Sequence, residues 1–137
     1  MDKNTQRLNK HVIGVIILLV IQYVLGMAIN LYVQFPEGAS VRQNWEFMQG
    51  QWLVWAHIVA GTLIVLGLIS LYIQAVKLKD KVWKITGGIA AVSSIVAWAF
   101  GEEFISRQND FYSFAMSVFF IAALVSLCVG LYKARKY

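Results

Sequence analysis

The residues able to carry chemistry are few, and they lie inside apolar segments. His57 stands in the run Trp55-Ala56-His57-Ile58-Val59-Ala60-Gly61, about six residues inside the outer end of a hydrophobic stretch. At 1.5 Å per helical residue that is roughly 9 Å below the surface. Ala60 and Gly61 share its face one turn further in and leave a notch beside the imidazole. Two chemistries suit such a histidine. As a neutral ring it can hydrogen-bond Asn30, which reaches a similar depth on the preceding segment. As an axial ligand it can hold the iron of a heme lying in the notch, with Met116, at a similar depth, or an external group opposite. Gln22, Gly26 and Asn30 follow one another at four-residue spacing, which puts them on one helical face, and Gly14 extends the row. Amides and glycines do not suit a lipid face, because an amide in hydrocarbon seeks a partner and glycine admits a neighbouring backbone. Gln22 and Asn30 thus read either as interhelical packing groups or, with His57 and the loop after Gln34, as the lining of a small-ligand pocket. His11 follows Lys10 near the start of the first segment and reads as an interface residue.

Several chemistries are eliminated. Cys128 is the only cysteine, so neither an internal disulfide nor a Cys-x-x-Cys redox pair can form. Asp and Glu occur only at segment ends and in loops, which removes the buried carboxylate of a proton-coupled pump. No phosphate-cradling glycine loop, acidic metal cluster or serine nucleophile with a base is present. The expectation is a protein with no catalytic residues and no metal site, and not an enzyme.

The elements that must position these residues follow from composition. The chain has 137 residues, of which 59% are hydrophobic and only 14% charged. Soluble domains carry about 45–50% apolar and about 25% charged residues, and a small domain cannot bury this excess. Four apolar stretches, 12–33, 51–76, 85–105 and 111–131, each approach or exceed the ~20 residues that cross the hydrocarbon core as a helix. They are too continuous for barrel strands. The expected fold is therefore all-α, a single integral-membrane four-helix bundle occupying residues 1–137. The loop 34–50 holds the only proline, Pro36, and a polar run with Trp45 and Phe47 suited to a short surface helix, as a connector or as a substrate lid.

Charge orients the bundle. Ten of the twelve Lys and Arg lie in three clusters, at 3–10, 77–84 and 133–136, while Arg42 and Arg107 share their loops with Glu37, Glu46, Glu102, Glu103 and Asp110. The alternation places both termini in the cytoplasm and the chain, multi-pass, in the cell membrane. The net charge of +5 is thereby explained at segment ends, where it meets lipid headgroups rather than nucleic acid. Membrane lipid is one expected partner, and a second copy or another membrane protein is another.

Small residues line the last two segments. Gly87, Ala91, Ser94, Ala97 and Gly101 recur every three or four positions, and Ser113, Ser117, Ala122, Ser126 and Gly130 every four or five, which is the close-packing pattern of membrane helices. A faint internal repeat pairs Ile69-Ser70-Leu71-Tyr72 before Lys77 with Val129-Gly130-Leu131-Tyr132 before Lys133. Either a duplicated hairpin or the interfacial preference of Tyr produces it.

The order of these features resembles one four-helix half of the heme A synthase family: a glycine-bearing first span, the loop after Gln34-Phe35-Pro36, a second span opening Trp55-Ala56-His57-Ile58-Val59-Ala60-Gly61, and a fourth opening Phe114-Ala115-Met116. That resemblance implies a heme held between histidines of the second and fourth helices, and His57 matches the first. The fourth helix offers Met116 or Ser117 and no histidine, Val54 stands where the family has an acidic residue, and the family's outer-loop cysteine pair is missing. The chain is also similar to prokaryotic four-span proteins that share the second-span His and the Ser113-x-Ala115-Met116 motif. Three functions follow as expectations: a non-catalytic accessory or assembly component, a heme-binding or heme-handling protein using His57, or a small-ligand binding or transport protein.

Overall fold

The structure, a computed structural model, describes residues 3–136. It contains five helices among the described residues and no strand: α1 (Lys3–Tyr32), α2 (Val41–Gln49), α3 (Trp52–Lys77), α4 (Lys81–Arg107) and α5 (Asp110–Lys136). All except α2 are long and apolar enough to cross a membrane. The fold is an all-α, membrane-spanning helical bundle.

Neighbouring long helices run antiparallel. Gln22 meets His57 while His11 meets Gln74, which fixes α1 against α3. Leu71 lies over Gly87 and Trp98 over Gly61, which fixes α3 against α4. Ser126 meets Thr86 and Met116 meets Gly101, which fixes α4 against α5. Stacked Tyr23 and Phe120 rings, with centroids 6.4 Å apart, bring α5 back to α1. One end of the bundle therefore carries the start of α1, the turn 78–80 and the end of α5, with the three basic clusters. The other end carries α2 and the turn at 108–109.

The helices extend beyond the apolar stretches. Within the described residues α1 reaches back past residue 12, because Leu8, Val12, Val15 and Leu19 recur at four, three and four residues and are all buried in the main core. Its opposite face, including Ile13, Ile17, Val20, Val24 and Met27, is exposed. Such a face suits hydrocarbon and would be an aggregation hazard in water. α4 starts at Lys81 because the Asp80 carboxylate accepts from the backbone N–H groups of Val82 and Trp83, both at 3.0 Å, a helix N-cap.

The turn between α3 and α4 is closed by two backbone bonds, Asp80 N–H to Ala75 O at 3.0 Å and Lys79 N–H to Val76 O at 3.1 Å. Together they form the motif that normally puts glycine in the left-handed position. Here Lys79 occupies it, with φ of 55°. Lys79→Gly is expected to raise stability by about 0.5–1 kcal/mol, measured as a higher unfolding midpoint in detergent; a lower midpoint would contradict the assignment.

Two hydrophobic clusters form. The main one draws Leu19 and its row from α1, Ile64, Leu68 and Leu71 from α3, Trp83, Ala90 and Ala91 from α4, and Ala123 and Leu127 from α5. The smaller one, around Met48, Val54 and Ile105, lies under α2 at the other end. α2 is the short helix expected in the loop 34–50, started by a capping box between Ser40 and Gln43. Buried Asn44 donates from Nδ2 to the Ser106 carbonyl at 3.4 Å, tying α2 to the last turn of α4. Phe35 packs on Phe47 and Phe104, with centroids 5.4 Å and 6.2 Å away.

The two ends of the faint repeat differ in their surroundings. The Tyr72 ring packs over Gly88 and keeps 38% exposure, whereas Tyr132 is 70% exposed.

Candidate functional site

His57 sits on α3 in the layer between the two clusters, and α1 supplies its partner. Gln22 Nε2 lies 3.0 Å from His57 Nε2. An amide nitrogen only donates, so as placed the bond runs from Gln22 to an unprotonated Nε2, and the ring proton resides on Nδ1. The glycines make the approach possible. A Cβ built at Gly26 would lie 3.2 Å from His57 Cε1, and one at Gly61 would lie 3.1 Å from Gln22 Nε2 and 3.9 Å from Trp98 Cδ1. Each helix thus offers a glycine to the other helix's polar side chain. Gln22 fills the notch beside Gly61, with Trp98 of α4 at its edge.

The bond to Asn30, one of the two roles open to His57, is not the one formed. Asn30 is exposed, and Gln22 makes the bond. Helical geometry explains the difference: a four-residue step overshoots a full turn by about 40°, so a row of three drifts by about 80°. Gln22 and Gly26 still face α3 while Asn30 has rotated away. The same drift leaves Gly14 exposed, with nothing within 4 Å of a built Cβ.

A second link of the same kind lies near the other end of the same helix pair. Gln74 Nε2 of α3 lies 3.2 Å from His11 Nδ1 of α1 and donates to Ser70 Oγ at 3.1 Å. Sequence reasoning read His11 as an interface residue and passed over Gln74. The available signal was that His and Gln occur on both helices, each His level with the other helix's Gln once the helices run antiparallel. The histidines do not meet each other, and each is joined to α1 or α3 alone.

The packing residues serve more than one seam. Gly87 accepts Leu71 of α3, with a built Cβ 3.4 Å from Cδ2, while Gly101 accepts Met116 of α5, with Sδ at 3.4 Å. Ala91 and Ser94 are buried between them. The tightest seam joins Trp83 and Thr86 of α4 to Ser126 and Gly130 of α5. Ser126 Oγ donates to the Thr86 carbonyl at 2.8 Å, and Gly130 lies flat against the fully buried Trp83 ring.

The same contacts bear on whether His57 could hold a heme. His57 Nε2 is engaged by Gln22, the ring lies on Gly26, and the notch at Gly61 is occupied by Gln22. The Met116 sulfur lies on Gly101 in another seam. Both candidate ligands would have to abandon their contacts to share one iron, so in this arrangement the residues do not fit a heme. Among the described residues, no group of three His, Cys, Asp or Glu side chains gathers as a metal would require.

Set against protein-family models, curated proteins and solved structures, the chain matches none.

Proposed function

We propose that this chain is a non-catalytic, four-span protein of a prokaryotic cytoplasmic membrane, an accessory or assembly component with both termini inside. One observation carries the reading. Polar side chains that could perform chemistry in the spans are spent on joining helices: Gln22 to His57, Gln74 to His11, and Ser126 to Thr86. Polar groups used in this way set helix packing and register. Ten basic residues against Asp2 and Asp80 at one end, and an acidic surplus at the other, support the orientation. The order of spans that resembles half of a heme A synthase, without the second histidine that catalysis there would need, suits an accessory role rather than an enzymatic one.

Tagged protein extracted gently from native membranes is expected to bring down another membrane protein in fixed ratio. Turnover of a heme or quinone substrate by the purified chain alone would overturn the reading.

A further inference from the structure

The turn joining α3 to α4 is flanked by Lys77, Lys79 and Lys81, and Lys84 follows one turn into α4; all four are exposed. Among the described residues, none of their ammonium groups has an ion pair or a hydrogen bond. The one acid in this stretch, Asp80, is committed to capping α4, where its carboxylate accepts from Val82 and Trp83.

Two features set this turn apart from the basic clusters at 3–10 and 133–136. Lys79 holds a left-handed position, with φ of 55°, where glycine would be less strained. A charge kept at a strained position points to a use for that charge. The second feature is an exposed seam. Lys81, Lys84 and Gly88 recur at three and four residues and so share one face of α4. On that face Gly88 receives the Tyr72 ring of α3, with a built Cβ 3.3 Å from Cε2. Gly87, one residue earlier, receives buried Leu71 on the core side, so Gly88 marks the lipid side of the same seam. Away from the turn the seam continues between exposed Ile69 of α3, three residues before Tyr72, and exposed Val92 and Ile95 of α4, four and seven after Gly88.

Lys81 and Lys84 are neighbours on the helix surface, where like charges repel. An anion between them relieves the repulsion, and the apolar seam beneath them suits hydrocarbon. A molecule with a phosphate anion at one end and hydrocarbon at the other answers both.

We propose that the lipid side of the α3–α4 seam is a binding site for one anionic phospholipid, its phosphate held by Lys79, Lys81 and Lys84 and an acyl chain lying along the seam past Tyr72. The general attraction of basic helix ends for headgroups acts on all three clusters alike; this site belongs to one of them. It goes beyond the accessory role and fails independently of it.

The unfolding midpoint of the full chain in an uncharged detergent reads binding, since a ligand of the folded state raises it. Dioleoylphosphatidylglycerol is expected to raise it saturably, and dioleoylphosphatidylcholine to need at least about tenfold more lipid for half the effect. Lys81→Gln combined with Lys84→Gln is expected to remove most of that preference. Lys10→Gln combined with Lys133→Gln, the same loss of charge elsewhere at this end, is expected to keep it. Lys79→Gly separates binding from stability: its midpoint without lipid rises, yet the phosphatidylglycerol needed for half-saturation is expected to rise about fivefold. Equal losses in the two double variants, as diffuse attraction to a charged surface gives, overturn the proposal. Inorganic phosphate that raises the midpoint as far as the lipid does at equal concentration overturns it as well, since that is a free-anion site. No difference between the two lipids on the native chain overturns it whether or not the variants fold.

Discussion

Gly130→Ala is expected to destabilise the bundle by about 3 kcal/mol, at the upper end of the usual cost of overpacking. The added methyl would overlap the ring of Trp83 and lie 2.6 Å from Thr86 Oγ1. Neither neighbour can yield easily. Trp83 has no exposed surface and belongs to the main core, and the Thr86 hydroxyl is bonded to the Val82 carbonyl at 2.9 Å. Relief would require α5 to move off α4, which would break the bond from Ser126, one turn before Gly130, to the Thr86 carbonyl. Steric unfolding in detergent, or its midpoint in denaturant, measures the loss. Gly14→Ala is the control, since nothing lies within 4 Å of its built Cβ and no loss is expected, with a gain of up to about 1 kcal/mol from the helix itself. Equal effects at the two glycines would contradict the packing described for α4 and α5.

The second large effect is at the link between α1 and α3. Gln22→Leu leaves the half-buried imidazole of His57 without its partner, and His57→Leu leaves the Gln22 amide without its own. Each single change is expected to cost about 1–3 kcal/mol, the usual penalty for stranding a buried polar group. Replacing both removes two polar groups from an apolar layer and is expected to cost less than the two singles added together. The coupling energy from this cycle is expected to fall within about 0.5–2 kcal/mol, as for other hydrogen bonds between membrane helices. Additive losses would mean that the two side chains do not meet. The same cycle at His11 and Gln74 is expected to give the same sign, with a smaller value because Gln74 keeps its bond to Ser70.

The spans, their antiparallel succession and the short helix in the loop 34–50 were legible in the sequence. Apolar runs of that length have few structural solutions in lipid. His57 was legible as the sharpest residue because a lone imidazole among Val, Ile and Ala demands a partner. Which partner it takes depends on the rotation of α1 about its axis. Spacing alone misjudged that, because steps of four drift from a true helical face, and Asn30 stood in for Gln22. The seam at Gly130 was half legible. The small residues of α5 were visible, but Trp83 lies outside the apolar stretch 85–105, and only the extension of α4 to Lys81 makes it core. His11 was hidden by its basic neighbours Arg7 and Lys10, which mark the water boundary. α1 continues as a helix through that boundary and presents the ring to Gln74.

His57 is committed to Gln22 and to holding α1 on α3, and an absorption spectrum puts that commitment to the test. Protein expressed with added heme and purified in mild detergent is expected to show no Soret band, and His57→Ala is expected to give the same flat spectrum with a lowered unfolding midpoint. A stoichiometric Soret band in the native chain that disappears in His57→Ala would contradict the account.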